Sequence, residues 1–227
     1  MSKKLQWDLD GERLYETGTS KGVLFPQKTD GSYDVGVAWN GLVSVKKSPD
    51  GAEPNDIYAD NRKYLSLMSA ENLKGSIDAY TYPEEFEACD GSATVNPGVH
   101  VGQQSRQPFG LAYSTIVGND TQGDSYSEKL HLIYAARVSP SERAYETVND
   151  SPEAITFSWE YTTTPVDLTD IGLKPSAGIT ITKHEVDAAA WTALTDILYG
   201  TETEDPRLPS IQEVIELTEP VTTPPGA

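Results

Sequence analysis

The stretch 155–162 reads ITFSWEYT, and it alternates large apolar side chains with small or polar ones at every step. Side chains repeat every two residues on the face of a β-strand and about every 3.6 residues on the face of a helix. The stretch is therefore predicted to be a strand. One face, with Ile155, Phe157, Trp159 and Tyr161, packs on a core, and the other, with Glu160, faces water.

The same period of two recurs in three other parts of the chain, at 33–39, 109–117 and 130–138. Between the last two lies GNDTQGD at 118–124, a run of residues that favour turns. These two segments are predicted to form an antiparallel hairpin. One face of its second strand is predicted to carry Leu130, Leu132, Tyr134, Ala136 and Val138.

Residues 73–82, LKGSIDAYTY, alternate more weakly. One side of this predicted strand carries Asp78, Tyr80 and Tyr82, and the other carries Ile77 and Ala79. The pattern alone leaves open which side is buried.

Helical spacing of apolar residues is confined mostly to 185–199, EVDAAAWTALTDILY. Thr182 or Asp187 is a candidate N-cap and Gly200 a candidate C-cap of this helix. A short apolar patch at 211–217 allows one or two further helical turns. We predict a domain over 1–200 and a C-terminal extension over 201–227 that ends in a mobile, Pro- and Thr-rich tail.

A long polar segment, KKSPDGAEPNDIYADNRK at 46–63, lacks apolar periodicity and is dense in turn formers and charges. It is predicted to be a loop between two strands. Loops longer than about 12–15 residues are unusual in a compact domain. This loop therefore either has a functional role or is an ordinary surface loop.

Composition supports one large globular domain. The chain has 227 residues, of which 37% are hydrophobic and 23% charged, and one cysteine, Cys89, which excludes an internal disulfide. The N-terminal sequence lacks the apolar core of a signal peptide, and no stretch approaches the roughly 20 apolar residues of a membrane span. We therefore expect a chain made in a cytoplasm, without a membrane anchor.

Charge is the strongest compositional signal. The formal net charge is −18, and residues 145–227 contain fifteen acidic residues against three basic ones. Such a surface repels nucleic acid in general. It is either a solvated acidic exterior that maintains solubility, or a surface that must not bind a polyanion.

Catalytic and cofactor motifs are missing from the sequence. The three histidines have no metal-ligand spacing, and there is no phosphate-binding glycine loop, GxSxG or HExxH. Carboxylates such as Glu84 and Glu85 are adjacent by chance in a chain with 35 acidic residues. We predict no enzyme activity, metal or cofactor. A carbohydrate-binding or adhesin-like β-sandwich is the alternative, because Tyr80 and Tyr82 share one predicted strand face.

Several strings, in order over residues 7–217, resemble the major tail (tail tube) proteins of long-tailed bacteriophages and prophages of Gram-positive bacteria. They are GERLYETG at 11–18, KGVLFP at 21–26, GVAWNGL at 36–42, DNRKYL at 60–65, AYTYPEEF at 79–86, FGLAY at 109–113, KLHLIY at 129–134, ILYG at 197–200 and RLP at 207–209. Residues beyond Leu217 fit the family pattern poorly.

The resemblance implies a mainly β fold, with two packed antiparallel sheets in a tail-tube sandwich or barrel and one flanking C-terminal α-helix. It also implies a structural virion protein, made in the host bacterial cytoplasm, that self-assembles into stacked hexameric rings. The resulting tube conducts the genome into the host, with tape measure and tail terminator proteins as further partners and no sequence-specific binding of DNA.

The resemblance also assigns roles to residues. Carboxylates on polar strand faces would line the lumen, where an acidic wall avoids phosphate contacts; the candidates are Glu160, Asp78 and Asp34. The family's long loop contacts the neighbouring ring, which places Lys46, Lys47, Asp56, Asp60, Arg62 and Lys63 in an inter-ring contact. The N-terminal residues 1–20 and the segment 201–227 are further candidates for this contact.

Overall fold

The fold is taken from a computed structural model, which describes residues 4–145, 147–148, 150 and 153–220. The strands in this part of the chain are β1 (Leu14–Pro26), β2 (Val37–Trp39), β3 (Leu42–Gly51), β4 (Pro54–Ala59), β5 (Arg62–Met68), β6 (Glu71–Ala79), β7 (Ala93–Asn96), β8 (Val99–Val101), β9 (Phe109–Asn119), β10 (Gly123–Val138), β11 (Phe157–Thr163) and β12 (Gly178–Thr182). The α-helices are α1 (Glu87–Asp90), α2 (Ala188–Tyr199) and α3 (Ile211–Leu217). The prediction of a mainly β fold with antiparallel sheets is confirmed.

One antiparallel path of strands, in the order β2-β1-β9-β10-β11-β6-β3, forms the body, and β12 pairs with β10 beside it. The two ends of the path, β2 and β3, follow each other in the chain and are joined by residues 40–41. The Tyr80 amide donates to the Gly41 carbonyl at 2.8 Å, which ties this turn to the end of β6. The path is therefore rolled over on itself.

The roll divides the path into two packed sheets at β10. Residues 129–133 of β10 pair with β12, whereas residues 136–138 pair with β11. Ala135 lies between them with a φ of 47°, and the register of β10 against β9 shifts there. We call β2, β1, β9, β10 and β12 the front sheet, and β3, β6 and β11 the back sheet.

The shift at Ala135 corrects the predicted face of β10. Leu130, Leu132 and Tyr134 point to the helix side of the front sheet, but Ala136 and Val138 point into the space between the sheets. A bulge changes the phase of a strand by one residue, so a strict alternation read across it misassigns everything on one side.

Two hydrophobic cores stabilise this arrangement. The core between the sheets contains Leu24, Leu111, Ile77, Trp159 and Tyr161 with other buried residues. The core on the helix side is formed by these buried residues of the front sheet and of the segment that follows it: Val23, Phe25, Ala112, Leu130, Leu132, Tyr134, Trp191, Leu194, Leu198, Leu208, Ile211 and Val214. The front sheet is thus covered on both faces, whereas the back sheet has one face in solvent.

The helices begin and end as their sequence indicates. The Asp187 carboxylate accepts from the Ala189 amide at 2.8 Å and caps α2, which ends at Gly200 with a φ of 75°. The short patch after it forms α3, capped by Ser210, whose hydroxyl accepts from the Glu213 amide at 3.1 Å. Two helices, and not one, therefore flank the front sheet. The predicted mobile tail, 219–227, lies outside the described residues from 221 onward.

The predicted loop at 46–63 is corrected to strands. Residues 46–51 continue β3 in register with β6 as far as the pair Gly51 and Glu71, and the rest forms β4, a turn at 60–61 and the start of β5. The segment is polar because its strands lie at or beyond the margin of the body, so no buried face imposes an apolar period. Conversely, a strand was predicted over 33–39, but only Val37–Trp39 form one.

Candidate functional site

The exposed face of the back sheet carries two of the three predicted lumen residues. Glu160 on β11 pairs with Ser76 on β6, and Asp78 pairs with Ser158, so the two carboxylates lie on neighbouring rows of one face. The register across β3, β6 and β11 assembles a surface that we call the polar face, with Ser44, Lys46, Ser48, Asp50, Asn72, Lys74, Ser76, Asp78, Ser158, Glu160 and Thr162.

Both lysines of the polar face are matched by carboxylates. Lys46 Nζ lies 3.3 Å from Asp78 Oδ2, and Lys74 Nζ lies 2.5 Å from Asp50 Oδ2. Glu160 is exposed, and its carboxylate makes no ion pair within the part of the chain that the structure describes. This face therefore carries two internally neutralised pairs and one unpaired negative charge.

Asp78 is held in its charged form. Partial burial acts to raise its pKa, but hydrogen bonds from Ser44 and Ser158 and the nearby Lys46 ammonium outweigh burial and lower the pKa below its ordinary value. The Ser44 hydroxyl donates to Asp78 Oδ2 at 2.6 Å. Lys46, predicted to contact a neighbouring ring, instead belongs to the polar face.

Asp34 lies apart from the polar face. It is in the connection between β1 and β2, where its carboxylate accepts from the Val35 amide at 2.9 Å and lies 3.5 Å from Lys28 Nζ. Without a strand over 33–36, nothing aligns this side chain with Asp78 and Glu160. Asp34 therefore does not share the polar face with Asp78 and Glu160.

Four of the six predicted contact residues lie on a hairpin formed by β4 and β5, which we call the free hairpin (residues 54–68). Its strands pair with each other and, among the described residues, with no other strand. Asp60 and Asn61 form its turn with φ values of 51° and 60°, as expected for a two-residue hairpin turn. Lys63 Nζ lies 2.7 Å from Asp56 Oδ1 across the hairpin.

The free hairpin has one polar and one apolar face. Asp56 and Lys63 share one face with the exposed Tyr58 and Met68, while Ile57, Leu65 and Leu67 share the other, which lacks charges except at its turn end, with exposed fractions of 39%, 36% and 54%. A two-stranded hairpin is marginally stable in water unless a third strand or another layer covers its apolar face. This face lacks such a cover in the described part of the chain.

The sixth residue, Lys47, points inward from β3 into a polar network that sequence reasoning missed. Its ammonium donates to His131 Nδ1 at 3.0 Å and lies 5.6 Å from the centre of the Tyr113 ring, on which His131 stacks. Thr180 on β12 lies 3.1 Å from the same ring nitrogen through its hydroxyl. The network thus connects the back sheet to the front sheet.

The network continues through the other ring nitrogen of His131. With Nδ1 accepting, Nε2 donates to the Thr115 hydroxyl at 2.9 Å, which in turn donates to Glu16 Oε1 at 2.7 Å. Lys129 Nζ lies 2.5 Å from the second oxygen of Glu16. Burial, followed by the positive charge of Lys47, lowers the pKa of His131 to about 4, and burial also lowers the pKa of Lys47.

Tyr80 and Tyr82 do not form a paired aromatic surface. β6 ends at Ala79, Tyr80 is 54% exposed, and Tyr82 packs edge-on against Phe157 and Trp159. Arg143 covers the Tyr82 ring with its guanidinium 5.5 Å from the ring centre. The two rings therefore do not offer one exposed platform for a sugar.

A metal site and a membrane-spanning helix are both missing from the described residues. No group of three or more His, Cys, Asp or Glu side chains is arranged to hold a metal ion there, and no helix there is long and apolar enough to cross a membrane. Compared with known proteins, the chain matches no protein-family model and no curated protein sequence.

Proposed function

We propose that this protein is the subunit of a tube, in which copies of the chain form rings and the rings stack. The observation that carries the proposal is the free hairpin, whose apolar face is exposed and needs a second layer. The tail-tube resemblance favours a second copy of the chain as the partner that supplies this layer. In the proposed virion tail each ring has six copies, and the tape measure and tail terminator proteins meet the tube.

The polar face supports a role as the lumen wall. It consists of short hydroxyl side chains, two neutralised lysines and the unpaired Glu160. Because an exposed Lys or Arg would gain affinity for each phosphate by releasing counterions, pairing both lysines with carboxylates keeps the wall from retaining DNA. The polar face would then avoid binding DNA mainly because its lysines are paired with carboxylates. It carries only one excess negative charge and is not a dense acidic surface.

Negative-stain electron microscopy of the concentrated protein tests the proposal directly. Rings or hollow tubes with sixfold symmetry are expected, without added metal or cofactor. Single particles at all concentrations, or a closed dimer in which the hairpin faces pair with each other, would reject the tube.

Removal of the free hairpin is expected to abolish assembly without unfolding the body. Residues 46–51 should be retained, because they pair with β6, so residues 54–68 are replaced by a short Gly-Ser turn. The expected result is a monomer by analytical ultracentrifugation, with thermal unfolding within a few degrees of wild type, because the hairpin contributes no residue to either core. Tubes of normal length from this variant would contradict an assembly role of the hairpin.

Glu160→Lys is expected to make the tube retain DNA. The substitution changes the polar face from three carboxylates and two ammonium groups to the reverse, in every subunit. Tubes should still form, since an exposed substitution usually changes stability by within about 0.5 kcal/mol. Short duplex DNA mixed with them at low salt should become protected from nuclease, and high salt should reverse the protection.

The matched control is Asp196→Lys, an equal charge change at an exposed residue of α2, outside the polar face. It should give no nuclease-protected DNA. Equal protection by the two variants, or none by Glu160→Lys, would place Glu160 away from the lumen.

A further inference from the structure

A second hairpin, formed by β7 and β8, also lacks a covering layer. Its strands pair only with each other among the described residues, and Val99 and Val101 on one face are 49% and 45% exposed. His100, on the opposite face, is held against the body by a 2.6 Å contact between its Nδ1 and Glu87 Oε2. The valine face is therefore the one that points away from α1.

An open cavity of about 600 Å³ lies between the base of this hairpin and α1, with Glu87, Ala88 and Thr94 in its lining. Ala93 pairs with Val101 and shares its face, and Ala93 also lines the cavity together with Glu84, Glu85 and Gln107. Neither Glu84 nor Glu85 makes an ion pair within residues 4–145 or the other described segments. Ala93, at the base of the valine face, thus lies beside uncompensated negative charge.

The free hairpin has the complementary pattern. Arg62 pairs with Ala59, which places it on the same face as Ile57, Leu65 and Leu67, at the end next to the turn. Arg62 makes no ion pair in the described part of the chain. One apolar face therefore ends in an unpaired cation and the other adjoins unpaired carboxylates.

We propose that the free hairpin of one copy docks on the β7–β8 hairpin of a second copy, with its apolar side chains over Val99 and Val101 and Arg62 facing Glu84 and Glu85. This assignment rests on the proposed tube and names the receiving surface of its contact. A single contact covers both unpartnered hairpins. Because donor and receiver are different patches of the same chain, the contact is heterologous and repeats from copy to copy.

Charge complementarity favours a second copy as the occupant. Two copies at −18 each repel one another, so association requires local pairs of opposite sign. Arg62, beside the turn of the free hairpin, makes no ion pair among the described residues, and Glu84 and Glu85 near the β7–β8 hairpin make none either.

Charge reversal tests the contact. Arg62→Glu, and separately the pair Glu84→Lys and Glu85→Lys, should each reduce tube yield at least tenfold in low salt, and combining all three substitutions in one chain should restore much of it. The control is the pair Asp170→Lys and Asp196→Lys, which makes the same charge change at two exposed residues outside both hairpins and the terminal segments and should leave the yield within twofold. Circular dichroism checks that each monomer is folded.

Disulfide trapping tests the same contact independently of yield. The variant Arg62→Cys with Glu85→Cys should form chains of covalently linked subunits on oxidation of the tubes. Native Cys89 does not compete, because it is buried and burial raises the pKa of its thiol to about 12. If tubes still form with all of the charge reversals and no cross-link appears, the proposed receiving surface is wrong, but the tube is not. A cross-link formed within a single monomer in dilute solution would also show that this receiving surface is wrong. Failure of the unmodified chain to form tubes rejects the proposed function itself.

Discussion

Replacing Trp159 with alanine is expected to lower the free energy of unfolding by about 3–5 kcal/mol, the usual loss for a large aromatic residue in a core. Trp159 is 1% exposed and packs against Trp39 and Phe86, with ring centres 5.9 and 5.0 Å away. Its indole nitrogen also donates to Asp90 Oδ1 at 3.1 Å, and that carboxylate would lose a partner. Urea unfolding followed by circular dichroism measures the effect.

The control for this substitution is one residue along the chain. Glu160→Ala removes a side chain from the opposite, exposed face of β11 and should change stability by within about 0.5 kcal/mol. Losses of equal size in the two variants would contradict the assignment of faces on this strand.

The second large effect is a loss of stability on mild acidification. An unfolded histidine binds its proton near pH 6.5, whereas His131 in the fold binds it only near pH 4. Stability is therefore greatest above pH 6.5 and falls as the pH falls towards 4. At about 1.4 kcal/mol per pKa unit the full loss is about 3 kcal/mol, of which about 2 kcal/mol is reached by pH 5.

Two variants separate this effect from the titration of carboxylates. The pKa values of Glu16 and Asp78 are lowered, so their contributions are lost only as the pH falls below the ordinary carboxyl range, near 4. Between pH 7.5 and 5, His131→Gln should therefore show a much flatter stability, and Lys47→Met should show a partial flattening because it removes the repelling ammonium. Wild type and His131→Gln with the same pH dependence would rule out this histidine as the cause.

The contrast between β11 and β10 shows what sequence could predict. β11 is short and unbulged, so its alternation correctly assigned Trp159 and Tyr161 to the core and Glu160 to the surface. Ile155, predicted for the same apolar face, lies before the strand and is exposed. β10 contains the backbone irregularity at Ala135, which changes its phase without any mark in the apolar pattern. Periodicity reports which residues share a face only as long as the strand is regular.

The free hairpin and the His131 network could not be predicted from the sequence, for two different reasons. The hairpin has no buried face in this chain, so burial imposes no pattern, and its residues read as a polar loop. The network joins Glu16, Lys47, Thr115, His131 and Thr180 from five strands, and only the pairing order of the sheets brings these residues together. In a sequence with isolated histidines and many charges, nothing singles these five out.

The rolled path of strands also sets the order in which the chain can fold during synthesis. β3 pairs with β6, and β4 with β5 between them, so these four strands can pair as soon as they leave the ribosome. In contrast, β1 pairs with β9 and β6 pairs with β11, each about eighty residues or more downstream. Pairings over such separations form late because closing a long loop costs entropy before any contact is gained. The body therefore cannot close until residue 163 has been translated, and until then the edge of β6 that receives β11 stays unpaired. Chaperone binding over this interval would protect that edge from misassembly.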